Sequence, residues 1–156
     1  MKKAFVLLVS LWFLNACGPT TFFEQDKSIE SKGWSYNDPV SFEFDNKDSS
    51  LSYNLFLNLK YSKTYAYNNI FLFVDIEDPK KFTYRDTIEC ILSNPIGEWY
   101  GKVSGESIHQ ELVYRQNIKL PILGTYKLTF YQAMRDSNLI NFENLGIKFK
   151  EFTPTN

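Results

Sequence analysis

The chain has 156 residues, with 17 Lys and Arg against 18 Asp and Glu and a formal net charge of −1. That balance argues against binding a phosphate backbone, which needs a basic stripe. One histidine and two cysteines give neither a His-rich or paired-cysteine metal centre nor a disulfide framework.

The N-terminus comes first in chain order. Lys2 and Lys3 precede an apolar run over residues 4–14, and Leu14-Asn15-Ala16-Cys17 follows. The run is too short for a membrane span, which needs about 20 apolar residues, and has the layout of a secretory signal. Its last four residues resemble the lipobox of bacterial lipoproteins. The resemblance implies cleavage before Cys17, a diacylglycerol on its sulfur and an acylated amino terminus, which together anchor a protein stably to a membrane. Without residues 1–16 the chain keeps 15 basic and 18 acidic residues, a net charge of −3. The remaining length of about 140 residues suits one domain with a real core.

Residues 17–33 are rich in Thr, Glu, Ser and Lys and read as a lipidated start and flexible tether. A single domain is expected over residues 34–156. Val40, Phe42 and Phe44 alternate with polar neighbours and end in an Asp45-Asn46-Lys47-Asp48 turn. Tyr53, Leu55, Leu57, Leu59 and Tyr61 hold every second position, which predicts a half-buried strand. Residues 70–76 are nearly continuously apolar and predict a central strand covered on both faces, closed by Asp78-Pro79. A fourth strand is expected over residues 82–92 and a short one over 99–103. Residues 111–120 read as a strand on β-branched and aromatic content, with a helix over 106–116 as the alternative. Tyr126, Leu128 and Phe130 mark another strand. A helical turn is expected within 139–145, and Leu145, Ile147 and Phe149 mark the last strand. About eight strands without a long amphipathic helix predict an all-β, antiparallel, jelly-roll-like sandwich.

Chemistry is sparse. His109 is the only histidine and sits among polar residues in an expected loop, so no catalytic triad or metal site is predicted. No glycine-rich phosphate loop or nucleophile elbow occurs. Asp45, Asn46 and Asp48, and separately Asp75, Glu77 and Asp78, group oxygen ligands without the spacing of a calcium loop, and turn chemistry accounts for them. Asp86 and Glu89 are the one close carboxylate pair suggesting a hydrolase, but a spacing of three in a strand points them to opposite faces. Cys90 shares a strand face with Ile88 and Leu92 and is expected to be buried and inert. Aromatic residues make up 17% of the chain. Tyr61, Tyr65, Tyr67, Trp99, Tyr100 and Tyr131 suggest a stacking platform for sugars or a protein, against the default of core packing.

Three ordered blocks follow the lipobox. They are Tyr65-Ala66-Tyr67-Asn68-Asn69-Ile70-Phe71; Asp86-Thr87-Ile88-Glu89 running through Leu92 to Gly97, Trp99 and Gly101; and Gly124-Thr125-Tyr126 with Gln132-Ala133-Met134-Arg135, Leu139 and Gly146. With Trp34 and Asp38 ahead of them, they resemble the gliding-motility lipoprotein GldH family of Bacteroidota over nearly the whole mature chain. The resemblance implies a non-enzymatic envelope lipoprotein needed for gliding, linked to type IX secretion, with other envelope proteins as partners and no cofactor. No run of acids follows Cys17, which points to the periplasmic side of the outer membrane. Tyr65, Tyr67, Asn69, Asp86, Thr87, Trp99, Gln132 and Arg135 are the motif residues available for interaction. Gly97, Gly101 and Gly124 suit positive φ or tight turns. Asp86 and Thr87 are expected to bridge strands, and Arg135 to grip a carboxylate. The alternative reading is a tethered glycan-binding sandwich built on Tyr65, Tyr67 and Trp99. No small-molecule ligand is otherwise expected.

Overall fold

A computed structural model describes residues 20–154. The signal segment, Cys17 and the first residues after it lie outside the described residues. Eleven strands follow in chain order: β1 (Thr21–Ser28), β2 (Trp34–Ser35), β3 (Val40–Asn46), β4 (Ser52–Ser62), β5 (Asn69–Glu77), β6 (Thr83–Ile91), β7 (Lys102–Ser104), β8 (Ser107–Lys119), β9 (Gly124–Gln132), β10 (Asn138–Leu139) and β11 (Phe142–Glu151). All pairings are antiparallel. A sheet ordered β1-β11-β4-β8-β7 faces a sheet ordered β3-β9-β5-β6, and β2 pairs with β10 at one end. Apart from the short β2, β7 and β10, eight strands run in the order of a jelly roll, each crossing to the other sheet except at the β5–β6 hairpin, and the alternating apolar pattern predicts such a sandwich.

The core lies where the inward residues of both sheets meet. Tyr53, Leu55, Leu57, Leu59 and Tyr61 of β4 are all buried, as their period of two requires. Ile147 and Phe149 of β11 and Phe42, Val74, Leu128 and Phe130 of the facing sheet are buried against them. Phe44 stacks on Tyr126 across β3 and β9, with ring centroids 5.8 Å apart.

Four expectations are corrected. The segment read as tether contains β1, which pairs with β11 from Thr21↔Lys150 to Ser28↔Asn144. A register shift between Thr21 and Phe23 lets two consecutive phenylalanines pack inward. Phe22 packs 4.9 Å from Tyr53, and Phe23 lies 5.4 Å from Phe44. Strand β5 is not covered on both faces, because Phe71 and Phe73 are each 38% exposed. No helical turn forms within 139–145; β10 ends at Leu139 and β11 starts at Phe142, with Asn141 at φ 65° in the turn between. His109 lies on β8 rather than in a loop, opposite Lys60 of β4.

Strand β8 carries two irregularities. Leu55 pairs with Arg115 and Phe56 with Val113, so Tyr114 is an extra residue; a second shift falls between Tyr53 and Leu55, where Asn117 takes φ 50°. These breaks of the period-two pattern explain why the sequence there, though it reads as a strand, leaves a helix as the alternative.

Candidate functional site

The outer face of the four-stranded sheet is built by alternation. Strand β5 turns Ile70, Leu72 and Val74 into the core, so Phe71, Phe73 and Asp75 face outward. Their cross-strand partners are Glu89, Thr87 and Arg85 of β6, and Tyr131 of β9 pairs with Phe73. Arg85 donates to both carboxylate oxygens of Asp75, Nε at 2.6 Å and Nη2 at 2.7 Å. The same guanidinium lies 5.5 Å from the Phe73 ring centroid and 5.2 Å from that of Tyr131. Arg85's hydrogen bond holds the Asp75 carboxyl below its ordinary range. The result is an exposed aromatic stripe with a cation held over it, the combination enriched where proteins bind one another.

The loop after β9 closes the upper edge of this face. Gln132 is buried; its Nε2 donates to the Asp136 carbonyl at 2.8 Å and its Oε1 accepts from the Met134 amide at 2.9 Å. Tyr67 donates to Asp136 Oδ2 at 2.5 Å. The Ala133 amide donates to the Phe71 carbonyl and the Phe71 amide to Met134 Sδ, which set Met134 beside Phe71. Asn69 Nδ2 donates to Glu89 Oε1 at 2.6 Å along the same edge. Arg135 stands exposed at the loop tip, and among the described residues it has no ion pair, contrary to the expected carboxylate grip.

Asp86 points the other way, between the sheets. Its Oδ2 accepts from Tyr114 Oη at 2.8 Å and from Arg115 Nη2 at 2.6 Å, so it ties the edge strand of one sheet to β8 of the other. Burial works against its charge, but the hydrogen bonds from Tyr114 and Arg115 prevail and hold its carboxyl below the ordinary range. Thr87 faces outward opposite Phe73, with only its amide bonded to Asp86 Oδ1. Asp86 and Glu89 therefore serve opposite faces and do not form a carboxylate pair.

The six aromatics do not form one platform. Tyr61 and Tyr65 are in the core, and burial pushes the Tyr61 phenol up to about 12. Trp99 is half-buried with its ring 5.3 Å from Tyr61, and Tyr65 donates to the Asn69 carbonyl. Tyr65, Trp99 and Gln132 thus shape the end of the sandwich beneath the face, while Asn69, Thr87 and Arg135 border the face itself. Phe73 and Arg85 were not singled out in the sequence; the signal was the aromatic alternation of Phe71 and Phe73 hidden within an apolar run. Gly97 and Gly124 take φ 88° and 122°, whereas a Cβ on Gly101 would lie 2.5 Å from Ile108 Cγ2, so close approach and not positive φ fixes it. Among the described residues no group of three or more His, Cys, Asp or Glu is placed to hold a metal ion.

Residues 21–149 match the family model of the GldH lipoprotein. The chain belongs to the GldH lipoprotein family. It is 35% identical over 140 residues to the gliding motility lipoprotein GldH of Flavobacterium johnsoniae, covering 90% of this chain and 86% of that protein. It is 33% identical over 133 residues to the gliding motility lipoprotein GldH homolog of Christiangramia forsetii, covering 85% and 81%. As a GldH family member the protein is a membrane-anchored envelope lipoprotein of gliding motility. Among solved structures, the infectious bursal disease virus VP2 subviral particle aligns at TM-score 0.35 and 14% identity, over 83% of this chain and 30% of that one. A likeness that slight carries no argument about this GldH chain.

Proposed function

We propose that this GldH chain is a non-catalytic part of the gliding apparatus that docks onto other envelope proteins, linked to type IX secretion, through the outer face of β5, β6 and β9. The observation that carries the reading is that Asn69 and Phe71 of the first block, Thr87 and Glu89 of the second and Met134 of the third meet along that face, beside exposed Phe73 and the Arg85 cation. Aromatic and arginine side chains give the largest binding contributions in protein interfaces. Lipid on Cys17 anchors the chain in the outer membrane, facing the periplasm. Only residues 18–20 then separate the lipid from β1, a reach of about 14 Å at most. The body is held near the bilayer with little slack.

The test is recovery of partners from cross-linked membranes by the lipidated full chain, compared with Phe73→Ala and Cys17→Ala. Envelope gliding components retained by the parent chain and lost from Phe73→Ala support the reading. Equal recovery by both would remove this face as the docking site.

A further inference from the structure

One end of the sandwich holds a cavity of about 420 Å³, within the range of small-ligand sites. It opens beside the turns that join β3 to β4, β5 to β6 and β8 to β9, the end at which β1 begins. Phe44, Leu55, Ile76, Leu128 and Phe149 make its wall mainly apolar. Phe82, 68% exposed, also lines it. Three charged residues complete the lining: Asp78, Arg115 and Lys119.

These three are not equivalent. Asp78 Oδ1 accepts from the amides of Lys80 and Phe82 at 2.8 and 3.0 Å and is spent on its own turn. Lys119 has no ion pair among the described residues. Arg115 is re-aimed by the irregularity at Tyr114 and gives Nη2 to Asp86, but its Nε is buried with no hydrogen-bond partner. It is the one such buried side-chain nitrogen or oxygen among the described residues.

From an apolar chamber whose lining carries Lys119, without an ion pair among the described residues, beside the Arg115 guanidinium, we propose that this cavity binds the acyl chain of a lipid bearing an anionic head. The chain fills the space between Phe44, Ile76 and Leu128, and Lys119, with the Arg115 guanidinium beside it, supplies the positive charge that holds the head. This revises the expectation that no small molecule binds. It does not depend on the docking face. Nor does it need lipid on Cys17, although an anchor there would set this end of the sandwich against a bilayer.

The test uses the full chain in nanodiscs, irradiated with a photoreactive dodecanoic acid or with a photoreactive phosphatidylglycerol, and the cross-linked peptides are mapped. The expected result is labelling within residues 118–128 and at Ile76, reduced about tenfold in Ile122→Trp, which crowds the cavity, and in Lys119→Gln, which removes the cation that has no ion pair. Near-ultraviolet circular dichroism confirms that both variants fold. Labelling by the free acid alone or by both probes supports the proposal and identifies the source of the chain. It is overturned by labelling confined to residues that do not line the cavity, by equal labelling with the uncharged methyl ester of the acid, or by labelling that appears only in Cys17→Ala, where the protein's own lipid no longer fills the space.

Discussion

Tyr114 and Arg115 are consecutive in β8, yet both donate to the same oxygen of Asp86 on the opposite sheet, at 2.8 and 2.6 Å. Neighbouring residues of a regular strand point to opposite faces, so the extra residue in β8 is what makes this clamp possible. Replacing Asp86 by Asn removes the charge and one of the two oxygens, so the Thr87 amide on one and the Tyr114 and Arg115 donors on the other can no longer all be satisfied. Asp86→Asn is expected to lower stability by about 1–2 kcal/mol, a value discounted because the pair is partly solvent-screened. Urea unfolding measures it. In the Asp86→Leu, Arg115→Met double variant the cost should fall short of the sum of the singles, and strict additivity would show that the clamp is not an energetic unit.

Acid stability follows from the same carboxylates. Asp86 and Asp75 both sit below the ordinary Asp value of 3.8 in the folded chain, and Glu143 sits below 4.5 because Lys60 and Ser107 outweigh its burial. A depressed folded pKa contributes stability that is present above the unfolded value and is lost as pH falls through the folded one. The urea midpoint should therefore hold from neutral pH to about 5 and decline below that. The decline should be shallower in Asp86→Asn; an identical slope would remove Asp86 from the account.

Cys90 is 3% exposed, and burial pushes its thiol up to about 12. Reaction with a thiol reagent at neutral pH should proceed only through unfolding, with a rate that rises with urea in step with the unfolded fraction. Fast labelling of the native Cys17→Ala chain would contradict this.

Gly101 shows how a glycine can be required without positive φ. A Cβ there would meet Ile108 Cγ2 at 2.5 Å and the His109 carbonyl oxygen at 2.7 Å. Because the second contact is backbone, Gly101→Ala should cost about 1–3 kcal/mol by displacing the loop from β8. Thermal unfolding reads this directly, and Gly97→Ser serves as a contrast in which only the φ of 88° is strained.

On the outer face the expected pattern is reversed. Phe71→Ala and Phe73→Ala remove half-exposed rings and should change stability by less than about 1 kcal/mol. The same substitutions should abolish spreading of a complemented deletion strain while growth is unaffected. Normal spreading by both variants would locate the working surface elsewhere on the molecule.

The jelly roll was legible because β4 and β9 keep strict alternation, so that burial of Leu57 or Leu128 can be read from parity alone. Strand β1 was hidden because Phe22 and Phe23 are adjacent, and two neighbouring apolar residues in a polar run do not look like a strand until a bulge turns both inward. The outer face was missed for a related reason. A run such as Ile70 to Ile76 looks the same whether its second face is covered by another layer or left open, since composition does not record what lies above a sheet. Tyrosines pose the same ambiguity: Tyr65 and Tyr67 stand two residues apart, yet one is in the core and the other bonds to Asp136 near the surface.

The pairing of β1 with β11 has a consequence for the order of assembly. Thr21 meets Lys150, so the first strand made waits for the last before its edge hydrogen bonds exist. Phe22 has no ring of Phe149 to rest on until nearly the whole chain has been synthesised. Such distant contacts close late, after a large loss of chain freedom. A chain cut short before β11 would keep the anchor-side strand as a naked edge, open to association with neighbouring chains.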